Sequence, residues 1–249
     1  MQKRPKIYFL PRTLDYLSWF LFWFQSLGKS KEYPFLIDGV KFFLRKNTSD
    51  FFVVDEVFKK GVYGRNASGI VFDIGANIGA YTLHAAKTAE SVFSFEPDTG
   101  NYKYFQNNLL LNNFKNVKVF KKAIGDKKRN AVLFRGHVNK GMSSTTVTTS
   151  KDMEEVEMLS LEDAMALCNV DHINTLKIDI EGGEYLLLEN IPRYLFQKID
   201  YIVMEFHHVP HKSFYELVRI LKEAGYHVKI ERRFLEKFFG TGIIKAVRV

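Results

Sequence analysis

The chain has 249 residues, and its 46% hydrophobic and 26% charged residues are typical of a globular protein built as one α/β domain with an N-terminal extension. Its formal net charge is +8, but it has no long run of Lys or Arg, so a basic solvated surface is favoured over a nucleic-acid partner. The single cysteine, Cys168, excludes an intrachain disulfide and a Cys-based metal site and agrees with a cytoplasmic protein.

An aromatic segment lies near the N-terminus, where residues 16–24 are almost all apolar. The run is shorter than the roughly 20 residues that span a bilayer, and no small-residue cleavage site follows it. A helix of this composition must bury most of its surface on the protein, on a second subunit or in a membrane interface. We predict packing on protein and keep peripheral membrane contact through residues 14–27 as the alternative. The oligomeric state stays open.

Residues 1–60 are predicted to combine this aromatic helix with a small β/α unit. Asp38-Gly39 marks a turn between two strands, and a helix from Phe51 to Lys60 would end at Gly61.

From residue 61 to residue 249, short apolar runs alternate with segments of helical spacing, which predicts a sheet with helices on both faces. The predicted strands are Ile70–Ile74, Ser91–Phe95, Val117–Phe120, Thr175–Ile180, Tyr201–Phe206, His227–Glu231 and Ile243–Val249. The last two lack a long connecting helix and would pair as an antiparallel hairpin at the sheet edge. The predicted fold is therefore a doubly wound, Rossmann-like α/β domain with a mostly parallel seven-stranded sheet. The polar residues 131–159 are interpreted as an inserted hairpin or lid beside the active site.

The strongest motif is Phe-Asp73-Ile-Gly75-Ala-Asn77-Ile-Gly79, which passes from a strand through a glycine loop into a helix. The two glycines permit a tight turn and close approach of the backbone to a ligand. Asn77 stands where a dinucleotide-binding loop needs glycine, which weighs against an NAD-dependent oxidoreductase. Asp73 suits a ligand with a cationic group and suits a pyrophosphate badly.

The next predicted strand ends at Glu96-Pro97. A carboxylate at this position accepts hydrogen bonds from ribose hydroxyls in nucleotide-binding α/β folds. The glycine loop and Glu96 together therefore indicate a ligand that carries a ribose and a cationic group, as S-adenosylmethionine does.

Several further short motifs follow in order. They are Asn107-Asn-Leu-Leu-Leu-Asn112, Ala123-Ile-Gly-Asp126 and Leu176-Lys-Ile-Asp-Ile-Glu-Gly-Gly-Glu184. Together with the glycine loop and the Phe-Glu-Pro strand end, their order and spacing resemble the FkbM family of methyltransferases over roughly residues 50–206. The resemblance implies S-adenosylmethionine as the cofactor and O-methylation as the activity.

The resemblance also implies roles for individual residues at the cofactor. Asp73, Gly75, Ala76, Asn77 and Gly79 would line the methionine end, Glu96 with Pro97 would hold the ribose, and Ala123 with Ile124 would lie against the adenine. Asp179 would face both cofactor and substrate.

A hydroxyl acceptor needs a base, because its pKa lies far above neutral. Candidates follow the fourth and fifth strands of the predicted sheet, where open α/β sheets bind ligands. They are Asp179, Glu181, His207 and His208, with Glu184 and Glu205 nearby. Strand alternation points the two histidines to opposite faces, so only one of them can face the site.

A metal-free site is predicted, although Asp179, Glu181 and His207 could present oxygen and nitrogen ligands. The predicted acceptor is a small molecule or glycan: a sugar, a polyketide or another metabolite. Two alternatives stay open besides the disfavoured oxidoreductase. One is methylation of RNA, and the other is a non-catalytic, membrane-associated protein on the same fold.

Overall fold

The computed structural model describes residues 8–9, 32–64, 67–135, 143–144, 152–232 and 240–249. The predicted aromatic helix at residues 14–27 lies outside the described residues, as do residues 136–142 and 145–151 of the predicted insertion. Among the described residues, no helix is both long enough and apolar enough to cross a membrane.

Fourteen strands occur in the described residues. They are β1 (Tyr8–Phe9), β2 (Glu32–Ile37), β3 (Val40–Arg45), β4 (Ile70–Ile74), β5 (Ser91–Phe95), β6 (Val117–Phe120), β7 (Ala123–Ile124), β8 (Arg129–Arg135), β9 (Ser143–Ser144), β10 (Met153–Leu159), β11 (Ile173–Ile178), β12 (Ile199–Phe206), β13 (Tyr226–Glu231) and β14 (Gly242–Arg248).

The helices alternate with the strands of the main sheet. They are α1 (Asp50–Asp55), α2 (Ala80–Ala85), α3 (Thr99–Asn112), α4 (Leu161–Cys168), α5 (Glu184–Asn190), α6 (Arg193–Phe196) and α7 (Phe214–Glu223). A π-helical turn, Glu56–Lys60, continues α1 and ends at Gly61, whose φ is +61°. This is the predicted helix stop, because glycine adopts the left-handed conformation without steric cost.

The main sheet has the order β13-β14-β12-β11-β4-β5-β6. Its five strands from β12 to β6 run parallel to their neighbours, whereas β14 pairs antiparallel with both β12 and β13. The predicted C-terminal hairpin is thus present, with β14 inserted next to β12 and β13 at the edge. The strand order reverses between β4 and β11, and a doubly wound sheet binds its ligand at such a switch point.

Apolar side chains cover both faces of the sheet. One buried cluster joins β4, β5, β11 and β12 to the helices α4, α5, α6 and α7. Cys168 belongs to this cluster, and its thiol is buried.

The N-terminal strand pair packs on the opposite face. β2 and β3 pair around the predicted Asp38-Gly39 turn. Phe42 and Val54 from this region share one buried cluster with Val71, Leu83 and Val203 of the main domain. The described part of residues 1–60 therefore contributes to the core of the sheet, and the domain boundary near residue 60 stays a prediction.

The predicted insertion forms a second, smaller sheet of order β7-β10-β8-β9. β8 and β10 pair antiparallel, as expected for a hairpin, and β10 also pairs in parallel with β7. Its own core includes Leu133, Val156 and Met158. This small sheet is thereby anchored next to the end of β6.

Phe42→Ala should show that the N-terminal strand pair is part of the main folding unit. Phe42 is fully buried and packs edge-to-face on Phe58 with 5.7 Å between the ring centroids. Its truncation leaves a cavity, so we expect a loss of about 3–5 kcal/mol in the free energy of unfolding. Urea denaturation followed by far-UV circular dichroism should show one transition shifted as a whole.

The matched control is Phe52→Ala, because Phe52 is 51% exposed. It should cost less than about 1 kcal/mol. A small early transition in Phe42→Ala, with the main transition unmoved, would show instead that the N-terminal region folds on its own.

Candidate active site

A cavity opens at the carboxyl ends of the parallel strands, beside the switch point between β4 and β11. Its lining comprises Gly75, Asn77, Phe95, Glu96, Pro97, Asn101, Ala123, Ile124, Leu133, Asp179, Ile180 and Glu181. Seven of the predicted cofactor-binding residues are among these: Gly75, Asn77, Glu96, Pro97, Ala123, Ile124 and Asp179. The loops after β4, β5, β6 and β11 therefore build one ligand site.

The glycine loop has the tight geometry that its sequence predicts. Gly75 has a φ of +79°, and a Cβ there would lie 1.7 Å from the carbonyl oxygen of Asp179, so no other residue fits. Gly79 has a φ of +87° at the start of α2, and a Cβ there would meet the Phe105 ring at 2.3 Å. Asn77 is left-handed at +53°, a conformation that asparagine tolerates better than most side chains do.

Glu96 reaches the cavity from the end of β5 and is only 4% exposed. Its Oε2 accepts a hydrogen bond from the Asn77 amide at 2.7 Å, and its Oε1 accepts one from the Asp98 amide at 2.9 Å. Burial raises the pKa of Glu96 to about 7, although these two backbone donors oppose the rise. Each carboxylate oxygen keeps a second lone pair, so hydroxyl donors in the cavity can stabilise the ionised form.

The side chain of Asp73 is not among the residues that line this cavity, and its predicted place at the methionine end stays a prediction. Asp73 is fully buried beneath the glycine loop. Its Oδ1 lies 3.1 Å from the Nζ of Lys177, and its Oδ2 accepts a hydrogen bond from the Thr82 hydroxyl at 2.6 Å. Asp73 thus supports the loop from below. Ala76 and Gly79 likewise shape the loop without lining the cavity.

Lys177 contacts groups at the ends of both β4 and β11, and the sequence analysis assigned it no role. Its side chain is 3% exposed and lies beside Asp73 in the pairing of β11 with β4. Its ammonium donates a hydrogen bond to the Gly75 carbonyl at 2.8 Å and lies 3.7 Å from Asp179 Oδ2. Burial alone would lower the pKa of Lys177, but the charges of Asp73 and Asp179 outweigh it and raise the pKa.

Next to Lys177, a tyrosine connects the carboxylates of two strands. The Tyr63 hydroxyl lies 3.0 Å from Asp179 Oδ2 and 2.9 Å from Glu205 Oε2, after β11 and in β12 respectively. The Tyr63 ring also faces the Lys177 ammonium, 5.4 Å from its centroid. Tyr63 was missed by the sequence analysis, because it precedes every motif that pointed to the site.

His207 joins the same cluster through both ring nitrogens. Its Nδ1 lies 3.0 Å from Oε1 of the fully buried Glu184, and its Nε2 lies 3.4 Å from Glu181 and 3.9 Å from Asp179. Glu184 also accepts hydrogen bonds from the amides of Ile180 and Gly182, so it holds the loop after β11 and the imidazole together.

His208, in contrast, is exposed, and its Cβ lies near Gly240. The structure therefore brings three of the four predicted catalytic residues together, namely Asp179, Glu181 and His207. His207 lies in the cluster and His208 does not, although both follow the end of β12, where strand alternation no longer applies.

The cluster holds more carboxylates than cations. Burial and the charge of Asp179 raise the pKa of Glu205 to about 8. Burial and the charges of Asp179 and Glu184 raise the pKa of Glu181 to about 7, against the opposing charge of His207. Burial would lower the pKa of His207, but Glu184, Glu181 and Asp179 outweigh it and raise that pKa well above its ordinary value. The site therefore favours ligands that bring positive charge.

The geometry can be compared with known proteins. A family model described as the methyltransferase FkbM domain matches residues 73–228, which is more than half of the chain. The chain belongs to the FkbM methyltransferase family. Family membership confirms the predicted resemblance, the methyltransferase activity and the cofactor, S-adenosylmethionine.

Individual relatives agree with this assignment. Methyltransferase 1 of Beauveria bassiana (strain ARSEF 2860) is 25% identical over 185 residues, which cover 65% of this chain and 74% of that protein. Among solved structures, Trm5b from Pyrococcus abyssi has a TM-score of 0.50 at 13% identity, over 88% of this chain and 56% of that chain. SMU.1697c from Streptococcus mutans, in complex with SAH, has a TM-score of 0.50 at 10% identity, over 74% of this chain and 90% of that chain. These two structures confirm the predicted fold.

The cavity fits the cofactor of this family. Glu96 would offer a buried carboxylate to the ribose hydroxyls, and the buried apolar side chains of Ala123 and Ile124 would contact the adenine. The acidic Asp179 and Glu181 border the same cavity and favour the sulfonium.

Cofactor affinity should depend on pH through Glu96. Ionised Glu96 accepts hydrogen bonds from ribose hydroxyls best, and its pKa is about 7, so affinity should rise about tenfold from pH 6 to pH 8. The free energy of unfolding of the ligand-free chain should change in the opposite direction and fall as pH rises. The raised pKa means that neutral Glu96 stabilises the fold at low pH, and this contribution is lost as pH rises through about 7.

The probe is 5′-methylthioadenosine, because it carries the ribose and adenine but no amino-acid group that titrates. Isothermal titration should give weaker binding for Glu96→Gln and a flatter dependence on pH. Asp98 and Lys177, the charged groups that influence Glu96, stay in both proteins. Equal slopes for the two proteins would contradict the assignment.

A double-mutant cycle on Asp73 and Lys177 should show that this pair is structural. Either Asp73→Asn or Lys177→Met leaves a buried partner uncompensated, so we expect each to cost about 3–5 kcal/mol. The double variant should cost less than the sum by about 1–3 kcal/mol. Urea denaturation measures all four proteins.

The matched control is Arg219→Met, which breaks the exposed pair of Arg219 and Glu223 and should cost less than about 1 kcal/mol. Full additivity of the Asp73 and Lys177 substitutions would show that the two charges do not depend on each other.

Proposed function

We propose that this chain transfers the methyl group of S-adenosylmethionine to a hydroxyl oxygen of a sugar, glycan or secondary metabolite. The observation that carries the proposal is the cluster of Asp179, Glu181 and His207, because the first two of these residues also line the cofactor cavity. An acceptor placed between cluster and cofactor meets carboxylates on the side opposite to the sulfonium.

The reaction needs one proton acceptor and little else from the protein. The acceptor oxygen attacks the methyl carbon in line with the sulfur, the new O–C bond forms and the S–C bond breaks. The hydroxyl proton passes to a carboxylate, and the sulfonium leaves as the neutral thioether of S-adenosylhomocysteine. Positioning and proton removal are therefore the two tasks of the side chains.

Glu181 is the base that we assign on geometry. It borders the cavity, whereas His207 lies behind it with Nδ1 held by Glu184. The Glu181 backbone has a φ of +53°, an uncommon conformation for a non-glycine residue, and the loop that holds it is fixed by the buried Glu184. We assign Asp179 to orient the acceptor, since carboxylate oxygens accept hydrogen bonds from hydroxyls.

The acidic cluster also supports a neutral, hydroxyl-rich acceptor over a nucleic acid. Asp179, Glu181 and Glu205 would repel a phosphate brought close to the methyl group. A sugar ring offers several hydroxyl donors and no negative charge, so it complements these oxygens.

Glu181→Gln should separate chemistry from cofactor binding. Removing the base should lower kcat about 100-fold or more, while the affinity for S-adenosylhomocysteine stays within about twofold. Transfer of a tritiated methyl group to a panel of sugars, glycans and hydroxylated metabolites measures kcat. Isothermal titration measures the affinity for S-adenosylhomocysteine. The control is Glu189→Gln, which removes an exposed carboxylate of α5 that pairs with Lys212.

Two results would contradict the proposal. Unchanged methyl transfer by Glu181→Gln would remove Glu181 as the base. Methyl transfer to RNA alone, with none to any hydroxylated small molecule or glycan, would show that the acceptor is a nucleic acid.

A further inference from the structure

Three potential ligand atoms converge at the ends of β11 and β12. One carboxylate oxygen each from Asp179 and Glu205 and one imidazole nitrogen of His207 lie within 4.8 Å of one another. Asp179 is 26 positions before Glu205 in the sequence, so the pairing of β11 with β12 brings them together. Carboxylate oxygens and imidazole nitrogens are donors that bind divalent first-row cations in proteins.

The imidazole is oriented as metal-bound histidines are. Glu184 Oε1 lies 3.0 Å from Nδ1, and the fully buried Glu184 is itself fixed by the amides of Ile180 and Gly182. Nε2 then faces the carboxylates of Glu181, at 3.4 Å, and of Asp179, at 3.9 Å. A carboxylate behind the distal nitrogen is the usual second partner of a histidine that binds metal, because it fixes the tautomer and makes the ligating nitrogen more basic.

Tyr63 shows that the carboxylates of Asp179 and Glu205 face the same point in the structure. Its hydroxyl lies within 3.0 Å of both Asp179 and Glu205. A phenol carries one proton and can donate to only one of the two carboxylates at a time. The Lys177 ammonium is directed to Asp73 and the Gly75 carbonyl, and it lies 3.7 Å from Asp179.

The geometry points to a divalent-cation site formed by Asp179, Glu205 and His207 at the border of the cofactor cavity. The set contains an imidazole, which favours a first-row cation such as Mn²⁺ over Mg²⁺ or Ca²⁺, whose sites prefer oxygen ligands alone. Three protein ligands leave further coordination positions open. This differs from the metal-free site that the sequence predicts.

Such a cation would deepen the proposed function, on which its catalytic role rests. An acceptor hydroxyl that occupies an open coordination position becomes more acidic, and its proton passes more readily to Glu181. The cation would also fix the acceptor oxygen on the cluster side of the cavity, because Asp179 contributes to both. Substrates with two neighbouring oxygens would profit most, since both could bind the cation.

The test is direct titration of the full chain with Mn²⁺ after treatment with a chelator. The electron paramagnetic resonance signal of aqueous Mn²⁺ disappears on binding and gives stoichiometry and affinity without any enzyme assay. We expect one Mn²⁺ per chain, and an affinity at least about tenfold lower in Glu205→Gln and in His207→Gln. Glu189→Gln is the matched control and should bind as the unchanged chain does.

S-adenosylhomocysteine binding, measured on the same samples, keeps the two proposals apart and shows that each variant is folded. Mn²⁺ binding lost in both variants that still bind S-adenosylhomocysteine would establish the site. If one of these variants fails to fold, the other one decides the site. Absence of Mn²⁺ binding by a chain that binds S-adenosylhomocysteine, or equal binding in all variants, would overturn the metal site and leave the methyltransferase proposal intact.

Discussion

The buried ammonium of Lys177 is the constraint on which the rest of the site depends. A charge that is 3% exposed is stable only with partners, and its partners are Asp73, the Gly75 carbonyl and Asp179. These three come from the end of β4, the glycine loop and the end of β11. The side chain of Lys177 therefore fixes the position of the glycine loop relative to Asp179.

The same arrangement explains why carboxylates outnumber cations at the ends of β11 and β12. Lys177 is shared between Asp73 and Asp179, and His207 is the second cation beside Asp179 and Glu181 among the described residues. Folding buries these carboxylates and brings them into mutual repulsion. Burial is the larger cause of the raised pKa values of Glu181 and Glu205, and the charge of Asp179 adds to it. Protons offset part of that repulsion in the ligand-free chain. A sulfonium, a hydroxyl donor or a divalent cation would offset more of the repulsion between the carboxylates. We therefore expect the site to bind such ligands in preference to anions.

Local patterns predicted the sheet well and the site only in part. β4, β5 and β6 have the predicted bounds because each is a short apolar run with clear turn residues at its ends. The hairpin position of β14 followed from connection length. Tyr63 and Lys177 could not be found this way. The contact of Tyr63 with Asp179 spans 116 residues, and a lysine inside a strand signals a solvated face unless its partner is known.

The two halves of the site have different origins in the chain. The cofactor half is built by loops within residues 73–228, the part that matches the family. Tyr63, which joins Asp179 to Glu205, comes from the segment before it, and that segment is held on the sheet by buried side chains such as Phe42 and Val54. Leu133, in β8 of the small sheet, also lines the cavity. In the proposed function, the acceptor would be bounded by these elements added to the common sheet, so we expect its identity to depend on them more than on the glycine loop.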